Sequence, residues 1–234
     1  MDKVACIIPA AGQGKRMGNQ VNKQFLLLSG LPILVHTLRA FDAIPEVNEI
    51  ILVCRGEEID YCKEMVESFG ITKVRSFVAG GKERQDSVWA GLQAVSEDME
   101  VVLVHDGARP FIDRATILRG IEQAKKCGAV VVGVPVKDTI KLVEGGRRIS
   151  STPPRDKLWQ IQTPQIFKKD IIYGAYERGI SDKFEGTDDA SFVEYIGGDV
   201  FVALGTYENI KITTPEDVYL GEAILQRRAD DESR

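Results

Sequence analysis

The stretch that decides the fold is Val4-Ala5-Cys6-Ile7-Ile8-Pro9-Ala10-Ala11-Gly12-Gln13-Gly14-Lys15-Arg16-Met17-Gly18. Its apolar first half is typical of a strand that is buried on both faces of a parallel sheet. Its Gly-rich, basic second half is typical of a loop that presents backbone N–H groups and cations to phosphates. Lys23 adds a further cation in front of an apolar run. The stretch therefore predicts an α/β protein that binds a nucleoside triphosphate.

Two familiar phosphate-binding motifs do not fit this loop. A Walker A loop needs a Gly five residues before its Gly-Lys pair and a Ser or Thr after the pair, but the chain has Pro9 and Arg16 there. The dinucleotide fingerprint needs a third Gly three residues after the second, and that position is Met17. Arg55 follows the second predicted strand, where an acidic residue would bind a ribose. A nicotinamide-dependent oxidoreductase is therefore disfavoured.

Strand and helix patterns alternate along the first half of the chain. The predicted strands are 4–8, 49–54, 73–78, 101–105 and 129–134, and the predicted helices are 32–43, 57–69, 84–95 and 114–126. This alternation predicts a doubly wound, mostly parallel, Rossmann-like α/β sheet. Ligands bind such sheets at the carboxyl ends of the strands. The loops after residues 9, 78 and 105 are therefore expected at one edge of the sheet.

The second half of the chain reads differently. Residues 137–160 predict a projecting arm built on a β-hairpin, with its turn at Glu144-Gly145-Gly146-Arg147. One register of the arm is apolar and holds Ile140, Leu142 and Ile149. Periodicity does not distinguish an ordinary surface hairpin from a contact with a partner. The remaining pattern predicts helices 169–178, 188–195 and 215–227 and a strand 200–204, and no boundary divides residues 1–234, which we expect to form a single domain.

Composition limits the possible partners and location. The net charge of −5 disfavours a general nucleic-acid binder, because such proteins are more often basic. No window is apolar for long enough to span a bilayer, and a core strand begins where a secretory signal would lie. We therefore expect a cytoplasmic protein with no nucleic-acid or membrane partner. The four cysteines have no C-x-x-C spacing and the two histidines are isolated, so a metal cluster of these residues is not expected.

Two later segments carry groups suited to a nucleotide site. Gly80 and Gly81 allow the backbone to approach a flat ligand, and Ser87 supplies a hydroxyl, although a capped helix start explains the segment as well. Asp106 ends a central strand, where a carboxylate suits Mg²⁺ bound together with substrate phosphates. Arg109 suits a bidentate phosphate contact. An Asp–Arg pair that closes the loop is the alternative, and the convergence of three loops favours the ligand site.

Two further segments have plain structural interpretations. Lys211 lies between two isoleucines in what reads as a short strand, where a solvated edge residue is expected. A helix cap is predicted for the segment Gly186-Thr187-Asp188-Asp189-Ala190-Ser191, because acidic residues favour a helix start.

Taken together, the motifs resemble the 2-C-methyl-D-erythritol 4-phosphate cytidylyltransferase family. The matching residues are Pro9-Ala10-Ala11-Gly12-x-Gly14-x-Arg16-Met17, Lys23-Gln24-Phe25, Gly80-Gly81-x-Glu83-Arg84-x-Asp86-Ser87-Val88, His105-Asp106-x-Ala108-Arg109-Pro110, Thr163-Pro164-Gln165, Thr187-Asp188 and Ile210-Lys211-Ile212-Thr213. The resemblance runs from residue 4 to about 225, and Gly107 replaces the alanine common in the family. It implies a nucleotidyltransferase fold and a Mg²⁺-dependent transfer of CMP from CTP to 2-C-methyl-D-erythritol 4-phosphate, in the isoprenoid route that does not use mevalonate.

The resemblance also implies a role for each matching residue. The nucleotide would be bound by Ala10, Ala11, Gly12, Gly14, Arg16, Lys23, Gly81, Ser87 and Asp106, of which Gly81 and Ser87 hold the cytosine. The catalytic cations would be Arg16, Lys23 and Lys211, and the metal ligand would be Asp106. The acceptor would be bound by Asp106, Arg109, Thr139, Arg155, Thr163, Thr187 and Lys211. Arg155 would reach from the arm into the site of a neighbouring subunit, so a homodimer is expected.

Three other functions stay open at this point. A cytidylyltransferase for another polyol phosphate, such as ribitol 5-phosphate, would share the triphosphate loop and differ in its acceptor pocket. A sugar-nucleotide pyrophosphorylase would use UTP or GTP, which nucleotide preference distinguishes. A non-catalytic nucleotide-binding domain would bind CTP without turnover, and the paired cations Lys23 and Lys211 argue against it.

Overall fold

The computed structural model describes residues 3–12 and 23–232, the side chains of Lys23 and Glu232 excepted. Within these residues the main sheet has seven strands, in the order β11-β7-β10-β6-β1-β4-β5. Their bounds are β1 Val4–Pro9, β4 Val47–Cys54, β5 Val74–Ala79, β6 Val101–Val104, β7 Ala129–Pro135, β10 Trp159–Lys168 and β11 Phe201–Leu204. Two short antiparallel pairs join β2 Leu27–Leu28 to β3 Leu31–Pro32 and β8 Leu142–Glu144 to β9 Arg148–Ser151.

Helices cover both faces of the main sheet. Their bounds are α1 Ile33–Asp42, α2 Ile59–Ser68, α3 Arg84–Gln93, α4 Arg114–Cys127, α5 Lys169–Ser181, α6 Ala190–Tyr195 and α7 Pro215–Glu232, with short 3₁₀ segments at Lys23–Phe25, Gly56–Glu58 and Arg155–Lys157. One apolar core contains residues of α1, α2 and α4, and a second contains residues of α3, α5 and α6. Alternate residues of β1 enter the two cores, with Cys6 in the first and Ile7 in the second. This arrangement confirms the doubly wound α/β prediction.

One strand of the sheet was not predicted. β10 is antiparallel to both of its neighbours, β6 and β7, whereas the other pairs of the main sheet are parallel. Its residues Gln162, Thr163 and Gln165 are buried although they are polar, so the segment lacks the apolar run that marks the other strands. The pairing of β10 with β7 is also irregular between Ile161 and Gln165. The predicted arm overlaps the start of this strand.

The predicted arm contains the expected hairpin. β8 and β9 pair only with each other among the described strands. Leu142, Val143 and Ile149 are 53%, 55% and 57% exposed. Large apolar side chains are thus presented to the surroundings by an element that has little core of its own.

The backbone ties three loops together at the carboxyl ends of β1, β5 and β6. The amide of Ala10 donates to the carbonyl of Val53 at 2.6 Å, and the amide of Gly80 donates to the carbonyl of Cys54 at 2.8 Å. The amide of Gly107 donates to the carbonyl of Pro9 at 3.3 Å. The three loops predicted to meet at one edge therefore do so. Among the described helices, none has the length and apolar character needed to cross a membrane.

Candidate active site

A cavity of about 220 Å³ lies where the three loops meet. It is lined by Pro9, Ala11, Gly12, Gln24, Gly81, Lys82, Glu83, Arg84, Ser87, Asp106, Gly107, Ala108 and Lys211. We call it the rim cavity. Six of the predicted site residues are among the lining residues, namely Ala11, Gly12, Gly81, Ser87, Asp106 and Lys211. A larger cavity of about 810 Å³ has Val101 and Lys168 in its lining, at the opposite edge of the sheet, and contains none of the predicted residues.

The Gly80-Gly81 turn is closed against the first loop. A Cβ atom on Gly80 would lie 2.6 Å from the Cβ of Ala11, and one on Gly81 would lie 2.3 Å from the Cβ of Asp86. Both contacts are too short for any side chain, so the two glycines are required by close approach. The amide of Gly81 donates to Ser87 Oγ at 3.2 Å, and that hydroxyl donates to the Glu83 carbonyl at 3.2 Å. The turn is thus held by its own bonds.

Asp106 is the acidic centre of the rim cavity. The residue is only 7% exposed, and its carboxylate is surrounded by three cations. Arg84 Nε lies 3.4 Å from Oδ1, Arg109 Nε lies 3.4 Å from Oδ2, and Lys211 Nζ lies 2.9 Å from Oδ2. Burial raises the pKa of this carboxyl, but the three cations outweigh burial and hold the pKa well below its usual range. Asp106 is therefore ionised across the working pH range and is a poor proton acceptor.

A directed chain of hydrogen bonds fixes the backbone at Asp106. His105 is fully buried, and its Nε2 bonds the carbonyl of Arg109 at 3.0 Å, which requires Nε2 to carry the proton. Nδ1 therefore accepts, and the Thr163 hydroxyl donates to it at 3.1 Å. The Thr163 oxygen in turn accepts from the amide of Asp106 at 3.0 Å. Burial lowers the pKa of His105 to about 4, which keeps the ring neutral, as this chain requires.

Lys211 is not in a strand, and the sequence interpretation of it as a solvated edge residue was wrong. It lies in an irregular loop that is bound to the Asp106 segment by one backbone and one side-chain hydrogen bond. The amide of Ile212 donates to the Ala108 carbonyl at 2.9 Å, and Arg109 Nη1 donates to the Asn209 carbonyl at 2.8 Å. These bonds replace strand pairing and bring the Lys211 ammonium to the carboxylate of Asp106.

Arg84 and Asp189 were missed as parts of the site. Arg84 Nη1 and Nη2 donate to the two carboxylate oxygens of Asp189 at 2.9 and 2.8 Å, while Arg84 Nε faces Asp106. The helix-cap interpretation applies to Asp188, whose Oδ1 accepts from the amide of Ser191 at 3.0 Å. Asp189 instead forms a buried ion pair with a residue 105 positions away, a separation that no local sequence pattern reveals.

The other predicted residues have different surroundings. Ala10 is buried beside the rim cavity, and Thr187 is exposed. Arg109 contacts the carboxylate of Asp106, and Thr163 accepts from its amide. Thr139 and Arg155 belong to the exposed arm, where Arg155 Nη1 donates to the carbonyl of Lys137 at 2.9 Å. Gly14, Arg16 and the side chain of Lys23 lie outside the described part of the chain, so their assignments stay predictions.

Comparison with known proteins gives concordant matches over nearly the whole chain. A family model described as 2-C-methyl-D-erythritol 4-phosphate cytidylyltransferase matches residues 4–227. The enzyme of that name from Geotalea uraniireducens (strain Rf4) is 53% identical, over 96% of this chain and 97% of its own. The one from Alkaliphilus metalliredigens (strain QYMF) is 51% identical, over 98% of this chain and 96% of its own.

Solved structures agree with these matches. The crystal structure of 4-diphosphocytidyl-2C-methyl-D-erythritol synthase from Anaerococcus prevotii superposes with a TM-score of 0.85 at 36% identity, over 96% of both chains. That of 2-C-methyl-D-erythritol 4-phosphate cytidylyltransferase from Thermus thermophilus gives a TM-score of 0.77 at 33% identity, over 97% of this chain and 100% of the other.

Proposed function

Because the chain belongs to the 2-C-methyl-D-erythritol 4-phosphate cytidylyltransferase family, we propose that its two substrates meet in the rim cavity beside Asp106. The chain is a nucleotidyltransferase that transfers CMP from CTP to 2-C-methyl-D-erythritol 4-phosphate. The products are 4-diphosphocytidyl-2-C-methyl-D-erythritol and pyrophosphate, in the non-mevalonate route to isoprenoids. The observation that supports the proposed location is the convergence of Arg84, Arg109 and Lys211 on one buried carboxylate at the end of a central strand.

CTP is proposed to bind with its base against the Gly80-Gly81 turn. Glycines carry no side chain, so the backbone of the turn can approach a flat ring closely. The amide of Gly81 donates to Ser87 Oγ in this structure, and the edge of cytosine would exchange with that bond on binding. The triphosphate would then extend along the loop that contains Ala10, Ala11, Gly12 and Gly14. Arg16 and Lys23 would neutralise its charge there.

The proposed reaction is an in-line attack by the acceptor's phosphate oxygen on the α-phosphorus of CTP. The new P–O bond forms as the bond to the β,γ-pyrophosphate breaks, and pyrophosphate leaves with the electron pair. A phosphate monoester is already anionic near neutral pH, so no strong general base is needed, and the low pKa of Asp106 agrees with this. Catalysis then consists of positioning two polyanions and neutralising the developing charge, with Arg16, Lys23 and Lys211 as the cations.

A magnesium ion fits this site in one particular way. Among the described residues, no group of three His, Cys, Asp or Glu side chains is placed to hold a metal ion. The protein would therefore contribute Asp106, and the substrate phosphates would supply most of the remaining oxygen ligands, as is common for Mg²⁺. When bound there, the ion would offset negative charge on the triphosphate.

The arm is proposed to form a homodimer and to carry Arg155 into the partner's site. Leu142, Val143 and Ile149 are each more than half exposed on the hairpin, and such a cluster favours burial against another chain. Thr139 would contribute to the acceptor site from the same arm. We also propose that the enzyme acts in the cytoplasm, where CTP is available.

Pyrophosphate release tests the function. The assay contains Mg²⁺, CTP and 2-C-methyl-D-erythritol 4-phosphate, with ribitol 5-phosphate and UTP as parallel replacements for the acceptor and the nucleotide. Rapid release only with the first pair is expected. Release of pyrophosphate with ribitol 5-phosphate instead would contradict the assignment of 2-C-methyl-D-erythritol 4-phosphate as the acceptor. CTP binding without pyrophosphate release from any pair would contradict the roles of Lys23 and Lys211.

A further inference from the structure

Asp189 is a buried charge that the reaction as described does not use. The residue is 0% exposed, and a buried carboxylate is costly unless it is paired and hydrogen-bonded. Both of its oxygens accept from the guanidinium of Arg84, at 2.9 and 2.8 Å. The hydroxyl of Tyr176 donates to Oδ1 at 2.7 Å. This bidentate pair fixes both the plane and the direction of the guanidinium.

The fixed guanidinium extends the network into the rim cavity. With both Nη atoms bound to Asp189, Arg84 has its Nε 3.4 Å from Asp106 Oδ1. Arg84 is also the first residue of α3, three positions after Gly81. One side chain therefore connects Asp189 with Asp106.

The hydroxyl of Tyr176 is itself held in place. Its ring stacks on Phe192 with centroids 4.1 Å apart and planes 7° apart, and it lies parallel to Trp89 at 6.2 Å. Burial and the neighbouring Asp189 raise the pKa of Tyr176, so the hydroxyl remains protonated and donates. Residues of α3, α5 and α6 thus meet at this contact.

The loop that contains Thr187 is fastened on two sides. The amide of Gly186 donates to Gln85 Oε1 at 3.1 Å, which ties the loop to α3. Gln165 of β10 donates from Nε2 to Asp188 Oδ2 at 2.8 Å and accepts at Oε1 from the amide of Ala190 at 2.9 Å. We call residues 184–190 the acceptor loop, since Thr187 is a proposed acceptor residue.

We propose that Asp189 is a positioning residue, which acts through Arg84 to fix the acceptor loop and Asp106 relative to each other. The acceptor phosphate is then held at the correct distance from CTP. The proposal rests on the proposed acceptor roles of Thr187 and Asp106. Gly81 and Ser87 are joined by bonds of their own, so the turn proposed to hold the base does not depend on Asp189.

The test removes the hydroxyl of Tyr176 and retains its aromatic ring. Tyr176→Phe removes the bond to Asp189 and preserves the stacking, and Tyr173→Phe is the matched control on the same helix, with its ring 4.9 Å from that of Trp89. For Tyr176→Phe we expect the KM of the acceptor to rise about threefold to tenfold, as for loss of a hydrogen bond to a charged group. The Kd of CTP, from calorimetry without acceptor, stays within twofold. Tyr173→Phe changes neither constant by more than twofold.

A second pair of variants separates the possible failures. Asp189→Asn is expected to lower kcat/KM for the acceptor more than Tyr176→Phe does, again with the Kd of CTP within twofold. A purely structural role would lower kcat through loss of folded enzyme at unchanged KM, and that result, or a parallel weakening of CTP binding, would overturn the proposal. Thr187→Val is measured alongside. If Thr187→Val raises the acceptor KM and Tyr176→Phe does not, the positioning role of Asp189 is wrong and the proposed acceptor site is kept. If neither variant raises the acceptor KM, the positioning role and the proposed acceptor site are both wrong.

Discussion

The rim cavity and the hairpin arm differ in whether their side chains find partners within one chain. Around Asp106, three cations lie within 3.4 Å of the carboxylate and a chain of buried hydrogen bonds supports it. On the arm, large apolar side chains such as Leu142 and Ile149 are more than half exposed, and Arg155 is exposed as well. The comparison teaches that the described part of the rim cavity, with Asp106 and Lys211, is already organised within the single chain, whereas the exposed apolar face of the arm is proposed to be buried against a second chain.

The largest effect is expected from removing a cation of the rim cavity. Lys211→Ala deletes the ammonium 2.9 Å from Asp106, and loss of one such charge-stabilising contact typically costs about 10²–10³ in kcat, or roughly 3–4 kcal/mol. Single-turnover kinetics measure the loss, and circular dichroism shows that the fold is retained. Lys126→Ala, at an exposed position of α4, is the control. Near-normal turnover of Lys211→Ala would remove Lys211 from the catalytic groups.

A smaller effect is expected from separating the subunits of the proposed homodimer. Leu142→Asp combined with Ile149→Asp places charges on the apolar register of the hairpin, where burial against a partner becomes unfavourable. We expect a monomer by sedimentation, with activity about tenfold or more below that of the wild type and an unchanged Kd for CTP. A fully active monomer would show that the arm is an ordinary surface hairpin.

The smallest effect on turnover, but a measurable one on stability, is expected from pH. Burial lowers the pKa of His105 to about 4 in the folded state, below its unfolded value of about 6.5. The unfolded chain therefore binds the additional proton, and this stabilisation, present above a pH of about 6.5, is lost as pH falls toward 4. The total is about 3 kcal/mol.

Urea unfolding between about pH 7.5 and 4.5 checks this dependence. His105→Gln should be less stable at the upper end of that range and should flatten the fall of stability toward the lower end, whereas His36→Gln should retain it. An equal slope in the wild type and His105→Gln would mean that His105 does not set the pH dependence.

Much of the site could be predicted because its residues follow strand ends. Ala11, Gly81 and Asp106 come directly after apolar runs that parallel sheets bring to one edge. β10 could not be predicted, since its buried Gln162 and Gln165 interrupt the apolar pattern in order to bind neighbouring loops. Nor could the partnership of Arg84 and Asp189, because it joins two elements that only the folded sheet brings together.

Lys211 shows a different limit of sequence reasoning. The flanking isoleucines suggested a strand, but Ile212 is buried in a small cluster with Leu28 and Phe111, and the backbone bonds to Ala108 instead of to a sheet. The resemblance to a known family gave Lys211 a role that the alternation of residues alone had argued against.

Mixing two inactive variants tests the central comparison most directly. Arg155→Ala and Lys211→Ala are each prepared alone, then mixed, unfolded and refolded together so that subunits exchange. If Arg155 acts in the partner's site, a mixed dimer has one site with an intact Lys211 and an intact Arg155. Half of the dimers are mixed, so activity should return to about one quarter of the wild-type value. If the mixture is no more active than the two separate variants, the account is contradicted, and Arg155 does not act in the site of a partner.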